Sequence, residues 1–472
     1  MDQLQKSFMP ILAIVLGVFL FHNYLAIFGS LADNKHVFSI PLDIEIWQIP
    51  APLFFVVTLM GAVVFASISD YYYRKAILVF NAFFLLLMSL VIFVIVEGLV
   101  PLTIASIIIN LAKITIFAFY CAELAVSLSY LIETSDKGYR AFSVSFILTA
   151  IYLNFFQFLL LLLLIISLLG VRLVFNRYAI NLHKFQLKRV LCFNLLLDII
   201  YALLFLGIPI YSQKIITIIF EDVSIWLFCV ILSAILVVLR IFCLKKPDRV
   251  KKSNLISLDR IAPIDLTKKI KRTLAFIGLA QFLFLLPLVS LIVLFYIFNK
   301  FQSPMADRSM NMTNVIFLLS ALGFARLSDN IGRKPVLTYS FWVSLSFIAV
   351  GFILFLAISI DDYYFIAIML FWAWVILAGS ALYVVSPVLL AENCSAQQRG
   401  LILSLMMAFF ICSEYLPNWI SFGEVLGDFI NLAYWAWLCF SAVFLLSTII
   451  GFISTSKLRE YAFTKTQNLG KI

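Results

Sequence analysis

The chain has 472 residues, of which 64% are hydrophobic and 12% charged, with a formal net charge of +10 and a mean hydropathy of +1.10. A soluble domain runs at about 45–50% apolar and about 25% charged, so a globular soluble enzyme is excluded. The apolar runs are continuous rather than alternating, which also excludes a membrane barrel.

A bilayer core of roughly 30 Å takes about 20 helical residues. Apolar stretches of that order lie at 8–31, 46–69, 76–98, 99–131, 141–170 and 223–243, then at 274–298, 313–328, 335–358, 363–391, 400–422 and 431–455. These are twelve spans. The first, from Phe8 to Leu31, has no basic start and no small-residue cleavage site, so it reads as an uncleaved helix rather than a signal peptide. Lys and Arg are distributed unevenly between the connecting loops. With both termini on one side, the loops of that side carry 23 of them and the opposite loops three. The positive-inside rule therefore places both termini and the long middle loop in the cytoplasm. That loop, over 245–272, holds ten basic and three acidic residues. It reads as a lipid-facing linker, not a nucleic-acid site.

An apolar run near 190–212 remains. A thirteenth crossing there would put the Lys-rich loop outside, so 171–222 reads as a re-entrant or interfacial insertion. The seven cysteines lie in apolar runs or at their edges and form no CxxC pair. Neither a disulfide framework nor a metal site is expected.

Two segments repeat. Ala66-Ser67-Ile68-Ser69-Asp70-Tyr71-Tyr72-Tyr73-Arg74-Lys75 matches Ala325-Arg326-Leu327-Ser328-Asp329-Asn330-Ile331-Gly332-Arg333-Lys334 at an offset of 259. The pair Glu133 and Arg140 recurs as Glu392 and Arg399 at the same offset. Two separate motifs with one spacing imply two homologous halves of six spans, the parallel-repeat plan of secondary transporters. With these motifs the chain resembles the major facilitator superfamily, whose loops between spans two and three and between eight and nine read G-x-x-x-D-x-x-G-R-K. Asp329, Gly332, Arg333 and Lys334 match that pattern; in the first copy Asp70, Arg74 and Lys75 remain and Tyr73 replaces the glycine. The resemblance implies a cytoplasmic gate. A carboxylate at one helix end and a guanidinium just past it pair with the facing bundle until rocking separates them.

In the fourth span Lys113, Glu123, Glu133 and Arg140 are spaced by ten, ten and seven. This resembles the metabolite:proton symporter branch, which includes proline/betaine and dicarboxylate transporters. Lys113 stands at that pattern's arginine, Glu123 and Glu133 at its two acidic positions and Arg140 at its second arginine. The pattern's small residues are Ile116-Phe117 and Cys121-Ala122 here. Its acidic first-span stretch reads Leu20-Phe21-His22-Asn23-Tyr24.

A charge at mid-membrane depth costs several kcal/mol on insertion scales and is therefore paired or functional. Lys113 and Glu123 are about 15 Å apart along a helix and cannot touch. Each needs a partner, a solute or cavity water. Lys113 suits a solute carboxylate. Glu123 suits an ammonium or a proton, or else a purely structural bridge. Glu414, beside Pro417, is a second candidate proton site, with bridging as its alternative. His22 and Asn23 face the cavity if the resemblance holds.

The expected fold is an all-α polytopic membrane protein with the twelve-helix major facilitator architecture. Residues 1–243 form one six-helix half (with the insertion at 171–222), 244–273 the basic linker, 274–456 the second half and 457–472 a cytoplasmic tail. No Walker loop, HExxH motif or Ser-His-Asp set occurs, so neither enzyme activity nor a cofactor is expected. The functional expectation is a monomer in a bacterial inner membrane importing a small zwitterion or organic acid with protons. An efflux antiporter and a degenerate transporter acting as a sensor are the alternatives.

Overall fold

The computed structural model describes residues 2–30, 40, 44, 51–71, 73–135, 137–152, 225–244, 320–358, 380–393 and 399–415, together with 445–456 apart from 447 and 454. The insertion at 171–222, the span at 274–298, most of the basic linker and the tail lie outside the described residues. Every described span is helical. In hydrocarbon each backbone N–H and C=O must be bonded within its own segment, and a helix does this at any apolar sequence.

In chain order the helices are α1 (Asp2–Ser30), α2 (Ala51–Tyr71), α3 (Arg74–Val96), α4 (Leu102–Thr134) and α5 (Arg140–Tyr152), the last preceded by a 3-10 turn at Lys137–Tyr139. Then follow α6 (Ile225–Cys243), α7 (320–331), α8 (Arg333–Ile358), α9 (Ser380–Asn393) and α10 (Arg399–Tyr415), with a further helical stretch within 445–456. Among the described residues, α3, α4 and α6 are long and apolar enough to cross a membrane on their own.

Helix ends follow local chemistry. Gly98, at φ +72°, closes α3 in the left-handed conformation that glycine adopts without penalty. There Glu97 N–H donates to Phe93 O at 3.0 Å and Leu99 N–H to Val94 O at 3.2 Å. Pro101 then starts α4, its carbonyl accepting from Ile104 and Ala105 at 3.0 and 2.9 Å.

The packing sorts each helix into faces. On α3, Phe80, Phe83, Leu87, Leu90 and Val94 are exposed at helical spacing, while Leu78, Ala82, Leu85 and Ile92 are buried. On α6 the exposed row is Leu227, Ile231, Ile235 and Val238, opposite buried Trp226, Cys229, Leu236 and Arg240. These exposed rows form a lipid-facing surface. By contrast α4 is buried at every residue from Tyr120 to Ile132, and α9 from 381 to 391. These two stretches are 259 apart, so the repeat places one fully enclosed helical stretch in each half. α4 packs against α1, α2, α3 and α5, and α6 against α1 and α3. The halves meet where α10 lies on α2 and α4 and where α9 lies on α5 and α4.

Gly61 sets the distance between α2 and α4. A Cβ there would overlap the backbone of Ala118, so the two helix backbones touch directly. Gly61→Ala should therefore cost about 1–3 kcal/mol through overpacking, seen as a lower melting temperature of the purified protein. An unchanged melting temperature would show that this close approach does not set the packing.

Candidate functional site

Where the halves meet, both copies of the repeated motif join one charged lattice at one end of the bundle. Asp70, in the last turn of α2, receives the N–H groups of Gly400 and Leu401 at 3.0 Å each. These are first-turn donors of α10 without a partner inside their own helix. A carboxylate there also meets the positive end of the helix dipole. Asp329, at the end of α7, does the same for α5, accepting from Ala141 at 3.2 Å and Phe142 at 3.0 Å. Each half thus caps a helix of the other.

The arginines extend the lattice. Arg74 holds Asp70 at 3.0 Å and grips Glu133 with two bonds of 2.7 Å. Arg399, from the opposite half, reaches the same Glu133 at 3.1 Å and also donates to Ala391 O at 2.9 Å. In the second copy Arg333 holds Asp329 at 2.8 Å and Glu392 at 3.4 Å, and Arg140 crosses to Glu392 at 3.3 Å. The Arg74–Glu133 pair is bidentate, the stronger geometry for a guanidinium. Arg326 adds a contact between the halves, donating to Gly138 O at 3.2 Å with its guanidinium 4.5 Å over the Tyr139 ring. Lys75 and Lys334 lie outside this crossing. They donate to Ile241 O at 2.7 Å and Ser456 O at 3.0 Å, each on the final turn of a helix in its own half.

The replaced glycine of the first copy has a backbone reason. Gly332 sits at φ +108°, a region that strains other residues. Tyr73, its counterpart, lies at φ −72° and ψ 124° in extended backbone, so no glycine is needed there. Gly400 is required sterically instead, since a Cβ would come within 2.7 Å of Asp70 Oδ1.

Inside the first half the candidate residues separate. Glu123 is bonded to Arg240 of α6, and both are fully buried at 0% exposure. The Glu123 carboxylate also accepts from Asn81 at 2.9 Å and Ser127 at 3.1 Å. Arg240 was not a sequence candidate, because it stands at the edge of an apolar run, outside any motif. The signal for it was Glu123 itself, since a buried acid needs a base. His22 Nδ1 lies 3.0 Å from Tyr120 Oη, joining α1 to α4. Asn23 turns back to its own helix, donating to Phe19 O at 2.9 Å. Lys113 is buried on α4, two turns before Tyr120. Glu414 lies in the last turn of α10, and its side chain is outside the described residues. Among the described residues no three His, Cys, Asp or Glu side chains gather as metal ligands would.

No family model matches the chain, and no curated protein matches it in sequence. Solved structures do match. A bacterial homologue of the iron transporter ferroportin, in its outward-facing state, aligns at TM-score 0.56 and 13% identity, over 96% of this chain and 99% of its own. The E. coli fucose:proton symporter aligns at TM-score 0.56 and 13% identity, over 97% and 99%. The human organic anion transporter MFSD10 aligns at TM-score 0.52 and 12% identity, over 96% and 99%. The chain has the major facilitator fold. At these identities the likeness is one of fold. Within this fold the lattice lies between the two halves, at one end of the bundle.

Asp70→Asn removes a charge that caps α10 and neutralises Arg74, so that end should loosen. In a cysteine-less background, a cysteine placed at Ser404, buried in α10, should react with a water-soluble maleimide roughly tenfold faster in the Asp70→Asn variant, given the strength of charge-assisted bonds. Equal labelling rates would mean that the cap does not hold the end closed.

Proposed function

We propose that the chain is a secondary active transporter that imports a small polar solute together with protons by alternating access. The observation that carries this reading is the duplicated lattice, in which every bond between Asp70 or Asp329 and its capped helix, and between Arg399 or Arg140 and its glutamate, crosses between halves. Such contacts are made and broken as a set when two rigid bodies rock. Once the halves part, water would take the place of these contacts. The bilobal plan places solute contacts near the bilayer midplane between the halves.

Lys113 is the group we assign to a solute carboxylate, which fits a zwitterionic amino acid, a betaine or an organic acid. His22 meets α4 at Tyr120, two turns along from Lys113, and Asn23 is its neighbour on α1. Glu414 is the proposed proton site of the second half. Proton coupling is in keeping with the fucose:proton symporter among the fold neighbours, and the fourth-span motif favours the proline/betaine-like branch. We place the protein as a monomer in a bacterial inner membrane, termini and lattice on the cytoplasmic side, where the excess of Lys and Arg belongs.

The test is uptake of labelled proline, glycine betaine, dicarboxylates and other amino acids in cells expressing the chain, with and without a protonophore. Protonophore-sensitive uptake of one compound is expected. Lys113→Ala should reduce it at least about tenfold, the effect of losing a buried charge-assisted contact of roughly 1.5–3 kcal/mol. Failure of the purified protein to move any solute in liposomes would overturn the transport reading.

A further inference from the structure

We infer that Glu123 and Arg240 act as one neutral pin that positions α1 against α4, and that Glu123 neither carries the coupling proton nor binds solute. This inference rests on the transport reading above and narrows it.

The carboxylate has no acceptor position left over. Oε1 receives Arg240 Nη2 and Ser127 Oγ, and Oε2 receives Arg240 Nη1 at 3.1 Å and Asn81 Nδ2 at 2.9 Å. Four donors fill the lone-pair directions of a carboxylate. A proton or a solute ammonium would have to displace one of them. The guanidinium uses four of its five N–H groups. Nη1 also donates to Leu78 O at 2.6 Å and Nε to Ala13 O at 3.4 Å. The cluster therefore ties α1, α3, α4 and α6 together, and both charges are shut away from solvent.

Gly17 shows how closely α1 is fitted to this pair. A Cβ at that position would overlap the Arg240 guanidinium and lie 2.9 Å from Glu123 Oε1. The backbone of α1 thus runs directly over the ion pair, a path available to glycine alone. One turn along α4 from Glu123 is Tyr120, and five residues along α1 from Gly17 is His22. Their 3.0 Å bond joins the same two helices that the pin fixes, so the pin determines where His22 stands.

Among the described residues the second half has no counterpart of this pair. The offset of 259 places Leu382 at the position of Glu123 and Ser340 at that of Asn81. Lys75 and Lys334 bond Ile241 and Ser456, which puts Thr455 opposite Arg240. Thr455 is buried with its hydroxyl on Gly451 O at 2.8 Å. Among the described residues the lattice is duplicated while the pin has no second copy, so the pin is not one of the contacts that rocking must break in both halves.

The experiment compares Glu123→Gln, Arg240→Gln, the double variant and Gly17→Ala in the full chain. It measures protonophore-sensitive uptake, gradient-free solute exchange and the melting temperature of purified protein. Each single neutralisation should lower uptake and exchange together by about tenfold or more, because it leaves the other charge buried alone. The double variant should restore both to within about threefold, as neutral replacement of a buried pair is tolerated. Gly17→Ala keeps both charges but shifts α1, and should raise the KM for the solute more than it lowers the maximal rate. Loss of uptake with exchange intact in Glu123→Gln, the mark of a proton carrier, would overturn the inference. So would a double variant no better than the singles. If the unmodified chain moves no solute, the transport reading fails, and melting alone decides the pin. It stands if both singles melt lower and the double recovers, and falls if Glu123→Gln melts at or above the unmodified protein.

Discussion

A charge removed from water has to meet its opposite inside the protein, and this requirement organises the described part of the chain. Desolvating an ion costs several kcal/mol even after relaxation. An apolar chain of this kind therefore retains few buried charges, and each sits where a bond awaits it. Glu123 and Arg240 satisfy one another at depth. Asp70, Arg74, Glu133 and Arg399, with their repeat partners, satisfy one another at the end of the bundle. The apolar residues follow from this arrangement. Those of α4 pack around the buried pair, and those of α3 and α6 turn their large side chains outward to the lipid.

The two charged systems differ in reach. The deep pair lies wholly within one half and draws on four helices of that half. The lattice at the end of the bundle spans both halves, and it binds backbone as well as side chain, through the first turns of α5 and α10. Two kinds of contact can thus be built from the same residue types. What separates them is whether the bonds stay within a body or cross between two. The first copy of the motif also shows how a sequence departs from a pattern without losing its geometry. Tyr73 replaces the glycine because the chain enters α3 in extended backbone, while the Asp and Arg that make the bonds remain.

Much of this was legible in the sequence. The offset of 259 paired Asp70 with Asp329 and Glu133 with Glu392, because charges at the ends of apolar runs stand out by contrast. The spans of α2, α3, α4, α6 and α8, whose ends are described, lie within about five residues of those expected. The choice for Glu123 was not legible. Its partner lies on α6, over a hundred residues away, and helical periodicity carries no information about which helix faces which. Arg240 was hidden for a related reason, as a base near a helix end looks the same whether it serves topology or a buried acid. Gly17 gave no signal at all; only the position of the guanidinium shows why a side chain is excluded there. Asn23 was read beside His22 as one polar pair. Adjacent residues on a helix point about 100° apart, and Asn23 spends its amide on its own backbone.

The crossing of the caps has a further meaning when the bundle is viewed as an interface. Asp70 of the first half meets the start of α10, Asp329 of the second meets the start of α5, and the residues involved correspond one for one. Such a surface is isologous, the self-complementary kind found in two-fold homodimers. A six-span unit bearing only Asp70, Arg74, Glu133 and Arg140 would find, on a second copy of itself, every group that these four require. The linker between the halves therefore fixes stoichiometry and proximity, while recognition between the halves is written within each of them.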